Sequence, residues 1–463
     1  MVADELMSDF RFDYRDPEAT YFADIKQLQP AHVLWVEDGR VQTRRYWDAD
    51  SGAQISYQRP EECFERFAEL FRDAVRCRMA DAGPAVGVAL SGGIDSTLVT
   101  ATAERLRRTR PGLPALQAFT MPFGGIYQEE WQAIRRLQQW YDTPVREIEL
   151  PGGPAALFEL FACRTETPHY YGFCNNAAFY RTVASSSCRV LLTGFAADEL
   201  LETAETGLLH DLLGRGRLVS LGREIRRRAW VGNDDPSLVV ADLLKDLIPA
   251  PARWAIRSAR ELQVPSWVNP AFARRVQMGR WRPGQSRARF RSHCQERSYR
   301  AVTSPEIVMT LNQADDIASA HGLEWRYPYL DRRLVEFFLS VPGAVKQQAG
   351  YRKQFGQVAL REETRGVLRG QVSDDSREPL QADPESRRLE AKRFEEFLDA
   401  AGEPLWRIVD EPRIRGLARA YAGGRIDTRS TIWKLASLAY WIREFFPASN
   451  GYTEVQGHNG GEG

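Results

Sequence analysis

Apolar positions recur at helical spacing from Pro60 to Met79, where Phe64, Phe67, Leu70, Phe71 and Val75 are separated by charged residues, and an amphipathic helix is predicted there. The pattern then changes. Val86-Gly87-Val88-Ala89-Leu90 is a short apolar run without alternation, the form of a strand covered on both faces of a parallel sheet. Helical spacing returns at Leu98 to Leu106, a strand-like run follows at Ala115 to Met121, and the same alternation repeats with a helix at Glu129 to Tyr141 and a strand at Pro144 to Leu150. A fourth buried strand, Arg189 to Leu192, ends at Thr193-Gly194. Strands alternating with helices predict an α/β domain built on a doubly wound parallel sheet.

Upstream, His32 to Val36 and Val41 to Trp47 flank an Asp38-Gly39 turn signal and predict a small β-hairpin. Beyond residue 200 the chain turns to long charged amphipathic segments with little strand signal, so the second half is expected to be mainly helical. The last stretch, 448–463, is rich in Gly, Asn and Ser and reads as a flexible tail. The organisation expected is therefore a hairpin segment at 1–58, a principal domain at 59–447 and that tail. Within the principal domain, 59–205 is the α/β core and 206–447 the mainly helical part.

A chain of 463 residues with 43% hydrophobic residues and 12 Trp can bury large cores, which excludes a wholly disordered protein. Lys plus Arg and Asp plus Glu balance at 62 each, so no global charge draws the chain to nucleic acid or to an anionic membrane. The six cysteines form no Cys-x-x-Cys pair, and the N-terminus lacks a basic start followed by an apolar run. No stretch reaches the roughly 20 apolar residues of a bilayer span. These features lead to the expectation of a cytoplasmic protein.

Ser91-Gly92-Gly93-Ile94-Asp95-Ser96 lies between the buried strand and a helix, where main-chain amides and the helix dipole favour an anion. The glycines let the backbone approach phosphate oxygens, the serines can donate hydroxyls, and Asp95 can hold a magnesium ion. The loop lacks the Gly-Lys-Ser/Thr ending of a Walker A motif, so release of pyrophosphate is expected rather than γ-phosphate transfer.

This loop resembles the pyrophosphate loop of the N-type ATP pyrophosphatases, and three further blocks resemble the asparagine synthetase family. They are Leu191 to Leu200, Gly322 to Asp331, and Gly350-Tyr351-Arg352-Lys353. Tyr21 to Ile25, Pro30 to His32 and Tyr46 to Asp48 resemble the segment that joins the glutaminase half of such enzymes to the synthetase half. The resemblance implies ATP and Mg2+ as cofactors, with Asp95 and Asp198 as the metal ligands. It further implies nucleotide contacts from Leu90, Ser91, Gly92, Gly93, Asp95, Ser96, Met121, Thr193 and Gly194. Lys353 would meet the α-phosphate, a fixed cation where charge develops, and Glu324 is implied as a further catalytic residue.

Plainer readings exist for several of these. Taken alone, Lys353 reads more often as a solvated lysine, and Asp198-Glu199 can be an acidic pair at a helix start, although its place after a buried strand favours the metal reading. Glu324 and Asp331 can shape a loop and cap the helix from Arg332.

Two departures narrow the implied activity. Residue 2 is Val2 where glutamine-using members carry a catalytic cysteine, so an amine source other than glutamine is expected. Phe195 stands where asparagine and β-lactam synthetases have an acidic or phenolic side chain, and a phenyl ring accepts no proton. The Thr193 to Leu201 pattern, the Arg326 to Asp331 block and the Trp433 to Arg443 segment are also similar to lasso peptide macrolactam synthetases. That implies a peptide or small-molecule carboxylate as substrate, with a precursor peptide and a biosynthetic partner protein as partners. Two other readings are weighed. An ammonia-using asparagine synthetase meets the obstacle of Phe195. An RNA-modifying enzyme of the same loop class predicts a net basic domain and zinc or redox cysteines, neither of which is present. A cluster of arginines between Arg274 and Arg300, opposed only by Glu296, is either a solvated face or a surface for an acidic partner, and His169, Tyr170 and Tyr171 either line an acceptor pocket or pack.

Overall fold

The computed structural model describes residues 18–22, 24–49, 59–121, 128–148, 177–201, 204–232, 236–247, 264–276, 278, 290–346, 353–368, 384–425 and 429–445. The tail, His169 to Tyr171, Gly350 to Arg352 and the arginines between 279 and 289 lie outside the described residues.

The hairpin consists of β1 (His32–Glu37) and β2 (Arg40–Arg45), paired antiparallel about Asp38-Gly39, both of which adopt positive φ. Nearly all of its residues are exposed. It is tied to the body at its base, where Tyr299 Oη donates to Asp48 at 2.7 Å and Trp47 Nε1 donates to Glu336 at 2.6 Å.

Five parallel strands form the central sheet: β3 (Ala85–Ala89), β4 (Ala115–Thr120), β5 (Val145–Glu147), β6 (Cys188–Leu192) and β7 (Glu324–Arg326), in the spatial order β5-β4-β3-β6-β7. This is the doubly wound sheet that the apolar runs predict. The chain winds outward from β3 through β4 to β5, then returns to the other side of β3 for β6 and β7. The carboxyl ends of β3 and β6 thus meet at a topological switch point, the place where open α/β sheets bind ligands. The strand β7 comes from the otherwise helical second half. Its three residues are too short to register as a period, and they become a strand because Trp325 pairs beside Leu191 in the sheet.

On one face of the sheet, Val86, Val88, Val190 and Leu192 pack with helices Pro60–Met79, Ile94–Thr109, Arg332–Ser340 and Gln354–Glu363. The other face buries Phe119 and Leu191 under helices Ala177–Ala184 and Pro305–Ala320. A separate core forms among helices Pro384–Ala401, Glu411–Ala422 and Arg429–Phe445. No helix among the described residues is long and apolar enough to cross a membrane.

Candidate active site

The turn after β3 is shaped by its own hydroxyls. Ser91 N–H donates to Ser96 Oγ at 3.1 Å, the two serine hydroxyls lie 2.9 Å apart, and Gly93 N–H donates to Ser91 Oγ at 3.3 Å. The helix Ile94–Thr109 starts at Gly93 without a side-chain cap, which leaves its first-turn amides facing the sheet edge. Gly92 has φ +87°, and a Cβ there would lie 2.6 Å from the Glu130 carbonyl oxygen, so the position needs glycine on both counts.

The turn after β6 docks directly against this loop. A Cβ on Gly194 would sit 2.7 Å from Ser96 N and 2.9 Å from the Asp95 carbonyl carbon. Only a bare backbone lets the two turns touch. Ala196 completes the turn in a left-handed conformation at φ +68°, a strained setting for a residue with a side chain. Asp198 then projects from the first turn of helix Ala197–Leu201.

Lys353 joins them from a third element. It precedes helix Gln354–Glu363 in a left-handed conformation (φ +51°), and its side chain is 9% exposed. Its Nζ donates to Asp95 Oδ2 at 2.5 Å and also contacts Asp198 Oδ1. Burial alone would pull the Lys353 ammonium down, but Asp95 and Asp198 overcome it and hold the group above its ordinary value. The helix that carries Lys353 is locked in place by its packing. Phe355 sits among Phe64, Phe67 and Phe338, with ring centroids 4.7 to 5.4 Å away. At the helix's far end, Glu363 accepts from Arg72 Nε at 2.5 Å and Arg105 Nη1 at 3.3 Å.

The loop, Asp95 and Asp198 border a cavity of about 350 Å³ at the carboxyl edge. Leu90, Ser91, Asp95, Ser96, Met121, Thr193, Gly194 and Asp198 all line it, so nearly every residue implied for the nucleotide and metal is brought together. Gly92 and Gly93 shape the loop beside it. Lys353 is not itself in the lining but touches Asp95 and Asp198, which are, whereas Glu324 stands apart. It opens β7 on the opposite face from Trp325, and its carboxylate pairs with Arg326 Nε at 2.7 Å with the side chain 60% exposed. Arg326 in turn donates to the carbonyls of Arg78 and Ala80, closing the C-terminal end of helix Pro60–Met79. The period of two along a strand puts residues 324 and 325 on opposite faces, which sequence spacing to a motif does not reveal. Asp331, open between two roles in the sequence, caps helix Arg332–Ser340 by accepting from Arg333 N–H at 3.0 Å.

Several cavity residues were assigned no role from the sequence, although Trp325 and Tyr327 lie in the Gly322 to Asp331 block. Phe119, Phe179, Thr310, Ala314, Trp325 and Tyr327 form its wall, and Phe195 meets the Tyr327 ring edge-on with centroids 5.9 Å apart. Tyr329, fully buried beneath the site, donates to the Asp95 carbonyl at 3.4 Å; burial and the two aspartates push its hydroxyl pKa far up. Its place in the Tyr327-Pro328-Tyr329 run was the available signal. Burial likewise holds the Glu199 carboxyl above the ordinary range, with Asp198 and Glu306 adding to the effect. Of the arginine cluster, Arg300 pairs with Glu296 at 2.6 Å, as on a solvated helix face.

Two carboxylates meeting on one cation, beside a glycine-serine loop at a helix start, suit a divalent ion that takes its remaining ligands from phosphates and water, as magnesium does. Among the described residues there is no group of three or more acidic, histidine or cysteine side chains that would hold a metal on its own, and the nucleotide's oxygens would complete the set.

A parallel sheet with a glycine-serine loop and two aspartates at its switch point defines a nucleotide-binding α/β protein of the pyrophosphate-loop class. The family model described as asparagine synthase matches residues 66–443, and the chain belongs to that family. It is also similar to the amidase chyE of Penicillium rubens (strain ATCC 28089 / DSM 1075 / NRRL 1951 / Wisconsin 54-1255), at 23% identity over 377 residues that cover 72% of this chain and 54% of the relative. The chain thus spans about half the length of the curated relative that it matches.

Proposed function

We propose that the protein is an ATP-dependent, AMP-forming amide ligase that activates a carboxylate and passes the acyl group to an amine. The observation that carries this reading is the convergence of Asp95 and Asp198 on Lys353 Nζ at the mouth of the Ser91–Ser96 loop. In the first step a carboxylate oxygen of the substrate attacks the α-phosphorus, the bond to the β-phosphate oxygen breaks, and pyrophosphate departs. The loop amides and serine hydroxyls bind the departing phosphates, and Lys353 meets charge that grows on the α-phosphate. A magnesium ion held by Asp95 and Asp198 would neutralise phosphate charge when bound. In the second step the amine nitrogen attacks the acyl carbon, the carbon–oxygen bond to AMP breaks, and the amine gives up a proton.

Membership of the asparagine synthase family supports the reaction class. Phe195 disfavours ammonia as the acceptor under the family's usual arrangement, since its ring packs against Tyr327 and offers no proton acceptor. An amine carried on an organic molecule, with intramolecular peptide macrolactam formation of the lasso type as the specific case, is therefore the preferred reading. The resemblance of Thr193–Leu201 and Arg326–Asp331 to such cyclases supports it.

The test is to incubate the protein with ATP, Mg2+ and panels of carboxylates and short peptides, and to follow the nucleotide product. Pyrophosphate and AMP are expected, with turnover lowered by at least about a hundredfold in Asp95→Asn. Appearance of ADP would reject the reaction class.

A further inference from the structure

Lys353 holds a position that a simple phosphate-binding lysine does not need. Its Nζ bonds Asp95 Oδ2 at 2.5 Å and touches Asp198 Oδ1, and these carboxylates belong to the two residues that the resemblance implies as metal ligands. The Lys353 and Asp95 side chains are 9% and 19% exposed, so solvent does little to screen that pair, while Asp198 at 66% stays open to a ligand. The backbone at Lys353 is left-handed, a conformation that a non-glycine residue keeps only where its surroundings over-determine it. The packing of Phe355 and the Glu363 clamp supply that constraint, so the lysine is aimed at the aspartates by design of the fold.

The charge count makes the consequence concrete. Two carboxylates and one ammonium sum to −1, and the buried Glu199 carboxyl stands within electrostatic reach of Asp198 and Lys353. A divalent ion entering between the same carboxylates would stand beside the ammonium, and the two cations would repel, most strongly on the buried Asp95 side of the cluster. Two carboxylates are also few ligands for an ion that prefers six oxygens. Nucleotide phosphates change both terms, because they supply oxygens to the ion and a new anionic partner for the lysine.

Resting on the ligase reading above, we propose that Lys353 is the built-in counter-ion of the metal ligands: its ammonium and the divalent ion compete for Asp95 and Asp198, so the ion binds tightly only together with the nucleotide. Arrival of the ion with ATP then releases the ammonium toward the phosphates, which couples metal loading to the placement of the catalytic cation. Linkage requires the effect to be reciprocal, so the nucleotide tightens the metal as much as the metal tightens the nucleotide.

The experiment measures Mn2+ binding to the full chain by electron paramagnetic resonance, without and with α,β-methylene-ATP, in the wild type, Lys353→Met and Lys353→Arg. Wild-type protein should bind Mn2+ weakly alone and at least about tenfold more tightly with the analogue, a coupling within the usual range. Lys353→Met should bind Mn2+ alone about tenfold or more tightly than the wild type, and Lys353→Arg should stay as weak as the wild type. A Lys353→Met chain that binds Mn2+ alone no better than the wild type, with its circular dichroism unchanged, overturns the proposal. So does a Lys353→Arg chain that matches Lys353→Met.

Should either variant misfold, the wild type still decides the matter. The Lys353 Nζ proton–nitrogen resonance should move when Mg2+ and the analogue are added together and stay in place with equal Mg2+ alone. A shift with Mg2+ alone overturns the competition. None of these readouts needs turnover. A chain that shows the coupling yet releases ADP would sink the ligase reading and leave this one standing.

Discussion

At the carboxyl edge of the sheet, Asp95 and Asp198 share one lysine, whereas behind β7 the acidic residues are each met by arginine forks. Asp331 takes Arg78 at 2.7 Å and both Arg333 Nε and its own cap bond at 3.0 Å, Asp73 meets Arg76 and Arg333, and Glu324 meets Arg326. The residue types are nearly the same in the two clusters. The cations differ, and that difference sorts function from structure. A guanidinium is a planar donor fork that fixes a carboxylate in two-point geometry, while an ammonium is a compact point charge that can exchange partners. The arginine cluster ties helix Pro60–Met79, β7 and helix Arg332–Ser340 into one scaffold. The lysine cluster leaves its carboxylates at the wall of a cavity, where a ligand can reach them.

The strongest way to break this contrast is to separate the two turns that create the lysine cluster. Gly194→Ala places a methyl 2.7 Å from Ser96 N and should displace Asp198 from Asp95. Pyrophosphate release is expected to fall by about a hundredfold or more, the usual cost of an ångström-scale misplacement in an active site. Retention of wild-type rate would show that the close approach of the turns is dispensable.

An intermediate effect is expected from Asp331→Asn, which tests stability rather than chemistry. Arg333 and Arg78 overcome the cost of burying Asp331 and lower its pKa to about 2 from 3.8. A depressed carboxylate contributes stability that is present above the unfolded value and lost as pH falls through the folded one. The contribution should therefore be complete above about pH 4 and gone near pH 2, and a shift of this size corresponds to about 2 kcal/mol. Denaturant melts at pH 7 should show that loss in the variant, with the difference shrinking in acid, and pyrophosphate release per folded molecule should persist. A variant equally stable at pH 7 would remove Asp331 from the scaffold.

The smallest effect is expected at Glu324. Its pair with Arg326 is largely exposed, so Glu324→Gln should cost less than about 1 kcal/mol of stability. Turnover should change by no more than about twofold, since the carboxylate lies on the face away from the cavity. A large loss of turnover would return Glu324 to the catalytic role that its motif implies and blur the line between the two clusters.

Unbroken apolar runs sufficed for β3, β4 and β6 and the helical period for helix Pro60–Met79, which the structure places at the predicted residues, while β5 takes only Val145–Glu147 of the segment predicted at Pro144 to Leu150. The loop was equally legible, since its glycines and hydroxyls act on neighbours within six residues. The cavity wall was not. Phe179 and Thr310 come from distant segments and look like ordinary core positions, and Trp325 and Tyr327 sit in a marked block whose spacing does not say which side chains face the cavity.

What the sequence by itself determined is local: a phosphate-type loop after a buried strand, two acidic positions at strand ends, and a chain whose charge balance favours no nucleic acid. Tertiary structure alone decided which charges meet. Lys353 lies 258 residues from Asp95 along the chain yet within bonding distance in space, while Glu324, two residues before Arg326 and one before a cavity-lining Trp325, is turned away. The physical reason is that a side chain's direction is set by the pleat of its strand and the packing of its helix, and both follow from contacts between segments that no short stretch of sequence contains.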